Sequence, residues 1–394
     1  MITIGSDKEK CCGCGACSQI CPQKCIVMVR DHEGFLYPEV NEGQCIKCGM
    51  CDLVCPIKTY ASLEITGGGY VKAYGGWYKN ADIRFDSSSG GAFTLLANAV
   101  IEQGGIVYGC ILNDSMRAVH VGVDKKEDLG KLRGSKYVQS ELGNVFSEVK
   151  KFLETGRKVL FVGTPCQIAG LNSYLGERNK SKNLYKVDFI CHGVPSPKVF
   201  ESHIKHLEKQ NDSKVVSFRF RNKDHGWNST GIQLGTEAAF MNGKKVRKYP
   251  AYNDSYMNGF LDDLYLRPSC YSCSFKKIPK GYADFTIADF WGVNKVSKNL
   301  DDKKGTSLVL VHNEHANKLW DQVKHDFYFK QVDFERAVRR NKSLYRSAGK
   351  NHTREEFFNA FDKKGYSYAA KKYMSAYIWF VHKLVKMAKD LLKR

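Results

Sequence analysis

Short apolar runs alternate with stretches of helical periodicity through the middle of the chain. The strand-like runs are YVKAYGGWY (70–78), IVYGCIL (106–112), KVLFVGTP (158–165) and YKVDFIC (185–191). The helix-like stretches are GGAFTLLANAVIEQGG (90–105), QIAGLNSYLG (167–176) and PKVFESHIKHLEKQ (197–210). Buried strands separated by helices are typical of an α/β domain with a mostly parallel sheet. VVSFRFRN (215–222) and GIQLGTEAAF (231–240) predict antiparallel strands added to that sheet.

The opening of the chain is rich in cysteine instead, with six in CCGCGACSQICPQKC (11–25). The pattern C-x2-C-x2-C-x3-C-P is typical of bacterial ferredoxins. It fits this segment in one register and then occurs a second time, with the cysteines Cys11, Cys14, Cys17 and Cys21, then Cys45, Cys48, Cys51 and Cys55. The sequence therefore predicts two 4Fe–4S clusters. A four-cysteine zinc site usually pairs two C-x2-C units and explains the spacing less well.

The two runs are expected to exchange their last ligands. In two-cluster ferredoxins, the fourth cysteine of each run binds the cluster of the other run. We therefore expect a first set of Cys11, Cys14, Cys17 and Cys55, and a second set of Cys45, Cys48, Cys51 and Cys21. The remaining two thiols, Cys12 and Cys25, are interpreted as small buried side chains.

Length and composition predict a protein of several domains. The chain has 394 residues, of which 43% are hydrophobic, and this is enough for two or three cores. Disulfide frameworks belong to short secreted chains, and no signal peptide or apolar stretch of about 18 residues is visible. We expect a cytoplasmic protein with reduced thiols. Its predicted parts are a ferredoxin domain (1–62), a linker in ITGGGY (65–70), a mixed-sheet α/β domain in two regions (70–150 and 151–311) and a basic helical tail (312–394).

The net charge of +20 favours an anionic partner, and half of it lies in residues 312–394. No zinc-finger or RNA-recognition pattern is present, so nucleic acid is not expected as a partner. The last segment, YMSAYIWFVHKLVKMAKDLLKR (373–394), has the pattern of a basic amphipathic helix. Docking on the protein's own domain is the preferred interpretation, and peripheral contact with a membrane surface or a partner helix are the alternatives.

Four later cysteines form a candidate third set: Cys166, Cys191, Cys270 and Cys273. Cys166 and Cys191 follow predicted strands, at the edge where open α/β sheets build their sites. Cys270 and Cys273 form a C-x2-C pair. A third 4Fe–4S cluster, a structural zinc site, and a C-x2-C pair beside two unrelated thiols all remain open on these residues. Cys110 lies inside an apolar strand and is expected in the core.

SSSGGAF (87–93) stands directly before a predicted helix. Glycines let a phosphate approach the backbone at a helix start, and serine hydroxyls add hydrogen-bond donors. The motif is therefore a candidate phosphate site for a cofactor, and capping of the helix by Ser89 is the alternative. Neither G-x-G-x-x-G nor G-x4-G-K-[ST] is present.

Several ordered motifs resemble those of the coenzyme F420 hydrogenase/dehydrogenase beta-subunit family. They are SSSGGAF, LRGSKYVQS, FVGTPCQIAGL, DFICHGVPSP, FRFRNKDHGW, RPSCYSCSF and ADFTIADFWG, and they span residues from about Tyr70 to about Thr306. The resemblance implies a 4Fe–4S cluster and a flavin, FAD or FMN, in the large domain. It places the flavin on a set of eight residues: Ser87, Ser88, Ser89, Gly90, Gly91, Ser135, Lys136 and Tyr137. Lys136 is then expected near the flavin phosphates.

The resemblance implies an iron–sulfur flavoprotein oxidoreductase. We expect it to pass electrons between a ferredoxin-like carrier and a small organic or deazaflavin-type substrate. Relatives of this kind act on coenzyme F420 or on chlorophyll-type pigments, and others occur beside genes for surface polysaccharides, so the substrate is not identified. The alternatives are an electron-transfer subunit of a larger complex and an accessory iron–sulfur protein of polysaccharide biosynthesis. Candidates for catalysis are His192 and Lys136, and further polar candidates are Arg219, Arg221, Lys223, Asp284 and Asp289.

Overall fold

The computed structural model describes residues 5, 7–59, 71–228, 234–276 and 283–375. Its strands are β1 (Ile26–Arg30), β2 (Leu36–Val40), β3 (Lys72–Tyr78), β4 (Ile106–Leu112), β5 (Ala118–Val123), β6 (Val159–Gly163), β7 (Leu184–Phe189), β8 (Val215–Asn222), β9 (Gly235–Phe240), β10 (Lys245–Lys248), β11 (Phe285–Asp289), β12 (Ser307–Val311) and β13 (Phe327–Val332). Its α-helices are α1 (Ala16–Ile20), α2 (Met50–Leu53), α3 (Pro56–Thr59), α4 (Ala81–Asp86), α5 (Ala92–Glu102), α6 (Leu129–Leu132), α7 (Val145–Glu154), α8 (Pro165–Leu175), α9 (Pro197–Asn211), α10 (Ser255–Leu261), α11 (Val293–Val296), α12 (Glu314–Val323), α13 (Phe334–Val338) and α14 (Arg354–Tyr373). The predicted linker at 65–70, and all but the first three residues of the predicted tail helix at 373–394, lie outside the described residues.

The two cysteine runs at the start of the chain fold into matching halves. Strands β1 and β2 pair as an antiparallel hairpin, with Ile26 opposite Val40. Gly15 precedes α1 with φ 70°, and Gly49 precedes α2 with φ 73°. A residue without Cβ adopts this left-handed conformation at little cost, so each run can turn sharply into its short helix. The sequence repeat thus has a structural counterpart.

An eight-stranded sheet forms the centre of the large domain, in the order β13-β3-β12-β11-β7-β6-β4-β5. The neighbours β11, β7, β6 and β4 run parallel, and both flanks of this group are antiparallel. In SLVLV (307–311) every residue of β12 is buried, as expected for a strand covered on both faces. The sheet is therefore mixed.

Two sequence expectations need correction here. VVSFRFRN and the described part of GIQLGTEAAF do not extend the central sheet, because β8, β9 and β10 form a separate three-stranded antiparallel sheet. The region 312–394 is also not purely helical, because β13 lies within it and pairs antiparallel with β3. The apolar residue Phe327 of β13 is buried with Trp320 in the same core. A strand contributed from far along the chain thus completes the sheet edge.

Helices cover both faces of the sheet, and the ferredoxin module joins one of these layers. Leu160 of β6 packs with α5 and α12 on one face, while its neighbour Phe161 packs with α7 and α8 on the other. Ala16 of α1 belongs to that second cluster, beside Ile168 of α8. The ferredoxin module and the large domain therefore share one hydrophobic core.

The long helix α14 anchors the end of the described chain to the ferredoxin module. Arg354 at its start lies 2.6 Å from Glu33, measured from Nη1 to Oε1, and both side chains are buried. The helix bends at Gly365, whose φ is 78°. Among the described helices, none is long and apolar enough to cross a membrane.

Candidate metal centre

The four cysteines of the candidate third set line one cavity. Cys166 lies in the first turn of α8, directly after β6, and Cys191 follows β7. Because β6 and β7 are parallel neighbours, their carboxyl ends bring these two thiols to the same edge of the sheet. Cys270 and Cys273 reach the cavity from the loop after α10. The structure therefore brings together the residues that the sequence singled out.

These thiols lie close enough to affect one another. Burial, opposed by Lys276 and reinforced by Cys166 and Cys273, raises the pKa of the Cys191 thiol to about 12. The pKa of the Cys270 thiol is raised too, by burial and by Cys191. Bound iron would supply the positive charge that keeps such thiols ionised as ligands. The cavity thus has the donor chemistry of an iron–sulfur site.

The size of the cavity fits a guest larger than one ion. Its volume is about 80 Å³, against about 20 Å³ for the cavity lined by Cys21, Cys45, Cys48 and Cys51 in the ferredoxin module. Among the described residues, no three Cys, His, Asp or Glu side chains converge closely enough to hold a single metal ion. The thiols stand around the cavity walls instead.

Cysteines of the two ferredoxin runs also lie near one another across the runs. Cys21 of the first run lines the same small cavity as Cys45, Cys48 and Cys51 of the second run. In the other set, burial and the nearby thiols of Cys11 and Cys55 raise the pKa of Cys17 to about 12. The second leftover thiol, Cys25, is buried at 3.4 Å from Cys21, measured between the sulfurs. The ligand assignments remain predictions.

Cys12 connects the ferredoxin module to the third set, which the sequence did not reveal. Its thiol hydrogen-bonds to those of Cys14 and Cys166. The bond with Cys14 and burial raise the pKa of Cys12 well above the ordinary value, and the bond with Cys166 opposes this rise. It also lines the large cavity. The sequence around Cys12 could not indicate this contact, because Cys166 is distant in the sequence and only the fold brings it to this loop.

A close approach at Gly170 fixes the distance between the module and α8. A Cβ atom built on Gly170 would lie 2.8 Å from the Cβ and 3.0 Å from the sulfur of Cys14. Cys14 cannot move away easily, because it is buried in the shared core. The absence of a side chain at this position therefore lets a predicted cluster ligand contact the helix.

Replacing Gly170 with alanine is expected to destabilise the protein by about 1–3 kcal/mol through overpacking and to reduce the iron content of the first set. Thermal unfolding and iron analysis check both effects. Gly130→Ala is the matched control, because Gly130 is also helical and a Cβ there meets only Arg133 at 3.9 Å. The control should be neutral or stabilising by about 0.5–1 kcal/mol. Equal behaviour of the two variants would contradict the close packing.

The predicted flavin residues lie together but their side chains are already hydrogen-bonded within the protein. The Ser88 hydroxyl accepts from the Ser135 backbone N–H at 2.7 Å, so the two segments meet. The Ser87 and Ser89 hydroxyls donate to the carbonyls of Ile83 and Thr306. Ser89 does not cap α5, whose N-cap is Gly91 without a side-chain hydrogen bond, so the capping alternative is wrong.

The ammonium group of Lys136 is used in hydrogen bonds within the protein and is not free to bind a phosphate. Its Nζ donates to the carbonyls of Lys131, Leu132 and Arg133 at the end of α6, and burial lowers its pKa to about 8. The side chains of this loop pair therefore do not fit a phosphate group as they stand. We assign no phosphate contact to them.

The other polar candidates are mostly paired with one another. Arg221 donates to Asp289 in a buried ion pair, with one N–O distance of 3.0 Å, and Nη1 also lies 3.3 Å from the Tyr137 hydroxyl. Lys223 donates to backbone carbonyls, and burial with the nearby Arg221 lowers its pKa to about 7. Arg219 forms an exposed pair with Asp86.

Asp284 and His192 differ in their relation to the cavity. Asp284 accepts the Lys186 backbone N–H at 2.7 Å and the Asn313 side-chain amide at 2.9 Å, so it holds strands together. His192 lines the cavity and pairs with the Asp263 carboxylate through Nε2. Of the two candidates for catalysis, His192 alone reaches the third thiol set.

A buried line of polar groups on the cavity wall escaped the sequence analysis. Asp188 of β7 and Thr286 of β11 are register partners, and the Thr286 hydroxyl bonds to the Asp188 carboxylate and lies 2.8 Å from His312 Nε2. All three line the cavity. Burial raises the pKa of Asp188 to about 7 and lowers the pKa of His312 to about 4. The sequence signal for this group was a polar residue inside each of two apolar strand-like runs, Asp188 in YKVDFIC and Thr286 in ADFTIADFWG.

These two groups should give opposite pH dependences of stability. Folded Asp188 holds a proton that unfolded aspartate loses near pH 3.8, so its contribution falls by about 4 kcal/mol as the pH rises to about 7. Folded His312 lacks a proton that unfolded histidine holds below 6.5, so its contribution rises over nearly the same window. Asp188→Asn alone should make stability rise with pH from about 4 to about 6.5, and His312→Gln alone should make it fall from about pH 4 to about pH 7. Urea unfolding at several pH values checks this, and parallel profiles of both variants would refute it.

Three family profiles match successive parts of the chain. Residues 10–59 match the 4Fe-4S dicluster domain. Residues 73–147 match the N-terminal part, and residues 156–336 the C-terminal part, of the coenzyme F420 hydrogenase/dehydrogenase beta subunit.

Individual relatives are more distant. A coenzyme F420-dependent sulfite reductase from Methanocaldococcus jannaschii is 30% identical over 199 residues, which are 47% of this chain and 30% of that protein. The chain thus spans less than a third of that relative's length. Among solved structures, a chain of the F420-reducing [NiFe] hydrogenase complex from Methanosarcina barkeri aligns with a TM-score of 0.48 and 18% identity, covering 77% of this chain and 91% of that one.

Proposed function

The chain belongs to the coenzyme F420 hydrogenase/dehydrogenase beta-subunit family, and on this premise we propose that it is an iron–sulfur oxidoreductase. It passes electrons between a ferredoxin-like carrier and a small organic or deazaflavin-type substrate in the cytoplasm. The observation that carries the proposal is the meeting of three cysteine sets in one folded unit, with Cys12 hydrogen-bonded to both Cys14 and Cys166. The substrate itself is open.

The residues of this chain fit such a role. Cys11, Cys14, Cys17 and Cys55 would hold the first cluster, Cys45, Cys48, Cys51 and Cys21 the second, and Cys166, Cys191, Cys270 and Cys273 the third. When bound, 4Fe–4S clusters exchange single electrons. Cys14 of the first set belongs to the hydrophobic core around Ala16 and Ile168, which joins the ferredoxin module to the large domain. Shared packing of this kind supports electron exchange between the modules rather than independent motion.

A flavin, FAD or FMN, is part of the proposal because the resemblance of the sequence motifs implies one. A flavin would supply the exchange between one-electron and two-electron chemistry. Its site is not assigned, because the side chains of the 87–91 and 135–137 segments are engaged within the protein.

The experiment combines a reduced ferredoxin with candidate oxidants under anaerobic conditions. Reduced ferredoxin should bleach the visible absorption of the reconstituted chain, and a true substrate such as coenzyme F420 should restore it. Bleaching without recovery by any oxidant favours the second candidate function below. A chain that takes up no iron or whose clusters resist reduction would refute the proposal.

A second candidate function is an electron-input subunit of a larger complex. The ferredoxin module exposes apolar side chains beside the exposed Cys48, and Leu53 is 72% and Ile46 60% accessible. Exposed apolar residues next to a redox centre favour a partner surface. They suit a docked subunit as well as a soluble carrier.

Leu53→Glu is expected to slow electron uptake from the partner about tenfold without loss of iron, because a charge would have to be desolvated at the contact. Stopped-flow mixing with reduced ferredoxin measures the rate. Met241→Glu is the matched control, since Met241 is 71% accessible and belongs to the three-stranded sheet region. Equal rates for both variants would argue against docking at this surface.

A further inference from the structure

Arg267 is completely buried between the ferredoxin module and the third cysteine set. Its side chain is 0% exposed, and it precedes the short turn that carries Cys270. The guanidinium stacks over the ring of Tyr37 at 4.1 Å and lines the large cavity together with Cys12 and Cys166. A permanently charged side chain thus occupies the junction of two predicted cluster sites.

The guanidinium is directed at the first cysteine of the ferredoxin run. Its Nε donates to the carbonyl of Cys11 at 2.8 Å, and its Nη2 lies 3.6 Å from the Cys11 sulfur. Gly13, with φ 69°, lets the loop close on this group, because a Cβ there would lie 2.8 Å from Nη1. The remaining bonds go to the side chain of Gln139 at 3.0 Å and the carbonyl of Leu36 at 3.0 Å.

All of these partners are neutral groups or the thiol of Cys11. Within the described residues, no carboxylate forms an ion pair with Arg267, and the acidic side chains of the adjoining hairpin, Asp31 and Glu33, pair with Lys8 and Arg354. A buried charge without a counter-charge is strongly unfavourable. Thiolates that carry a cluster would supply the missing negative charge. The ferredoxin cysteines therefore fit as the counter-ion of Arg267.

We infer that Arg267 is a positioning residue that raises the reduction potential of the cluster held by Cys11, Cys14, Cys17 and Cys55. A nearby cation stabilises the reduced form, which carries one more negative charge, and hydrogen bonds to ligand sulfurs act in the same direction. The reduced state is thereby favoured at the ferredoxin cluster that adjoins the third set. This inference rests on the proposed function, because it needs the first cluster to bind.

Other charges near the thiols have different targets. Lys276 faces the third set, where its ammonium donates to the Cys191 and Ser343 carbonyls. The pair Arg354–Glu33 lies next to Arg267 in the chain's interior, but within the described residues the contacts of Arg354 are with Glu33, Leu266, Tyr271 and Phe358 and not with a sulfur. This pair offers a matched control at the same interface.

The test is an anaerobic redox titration of the full, reconstituted chain, followed by electron paramagnetic resonance. Iron and sulfide are measured first, so a chain without the first cluster would fail the proposed function before any potential is compared. Arg267→Gln should then lower the reduction equilibrium of one cluster about tenfold, which is about 59 mV for a one-electron couple. The affected signal should be the one that is lost in Cys14→Ala. Arg267→Lys, which keeps the charge, should shift it less.

Two further variants keep the result interpretable. Gln139→Glu places a carboxylate beside Nη1 of Arg267 without removing the guanidinium, and it should lower the same potential even if Arg267→Gln does not fold. The double variant Glu33→Gln with Arg354→Gln alters the interface without changing charge near sulfur and should leave all potentials in place. The inference is overturned if iron-replete Arg267→Gln and Gln139→Glu leave the potential of the first cluster unchanged, or if the double variant shifts it equally.

Discussion

Replacing Cys191 with alanine is expected to remove about four iron atoms per chain and to leave about eight. Cys191 stands at the carboxyl end of β7 and lines one cavity with Cys166, Cys273 and Lys276, which influence the pKa of its thiol. A cube that loses one of four protein ligands at a buried site has no water to replace it readily. Iron and sulfide analysis of the purified variant, made under anaerobic conditions, measures the loss.

Cys110→Ala is the control for this experiment. Cys110 is also a largely buried cysteine of the large domain, but it lies in β4 and is not among the residues that line the cavity. It should keep all of its iron. Retention of the full iron content by Cys191→Ala would show that the four thiols are ordinary buried side chains, which was one of the alternatives left open by the sequence.

Cys55→Ala and Cys21→Ala should each remove about four irons, but from opposite clusters. Cys55 follows the second run and yet lies with Cys11 and Cys17, while Cys21 follows the first run and lines the cavity of the second. After reduction with dithionite, the resonance spectrum of Cys55→Ala should equal that of Cys14→Ala. The spectrum of Cys21→Ala should equal that of Cys48→Ala.

Cys25→Ala provides the comparison for these variants. Its thiol lies beside Cys21 but belongs to neither ligand set, so the variant should retain both ferredoxin signals. The crossed assignment fails if Cys55→Ala loses the same signal as Cys48→Ala, because each run would then hold its own cluster.

The local patterns in the sequence predicted the strands well, because a short apolar run is specified by its own residues. The segments at 106–112, 158–165 and 185–191 became β4, β6 and β7, and their order places Cys166 and Cys191 at one edge. The ferredoxin repeat was equally readable, since ligand spacing follows from the geometry of a cluster. These are properties of contiguous residues.

Long-range contacts could not be predicted in the same way. Nothing within residues 327–332 shows that this strand pairs with β3, some 250 residues earlier, and the whole region 312–394 was expected to form a helical tail. The contact of Cys12 with Cys166 and the approach of Cys14 to Gly170 also depend on how the modules dock. Arg267 carries no signal in the sequence, because its burial is decided by the loops that close over it.

The loop at 87–91 shows that a sequence motif alone does not distinguish a phosphate-binding loop from a closely packed one. Its serines and glycines match a phosphate-binding pattern, and Gly90 packs against Gly76 and Ser307 so tightly that a Cβ would lie 2.4 Å from the Gly76 carbonyl oxygen. The same residue types thus serve close packing of the loop on the central sheet. Side-chain partners, which only the fold reveals, decide between the two roles.

The most direct test of three cluster sites in one chain is the iron, sulfide and flavin content of the anaerobically purified full chain, with a visible spectrum before and after dithionite. We predict about twelve irons and about twelve sulfides per chain, with absorption that bleaches on reduction. About eight irons would contradict this prediction, because Cys166, Cys191, Cys270 and Cys273 would then hold no cluster. The contact of Cys12 with Cys166 would then not connect two cluster sites.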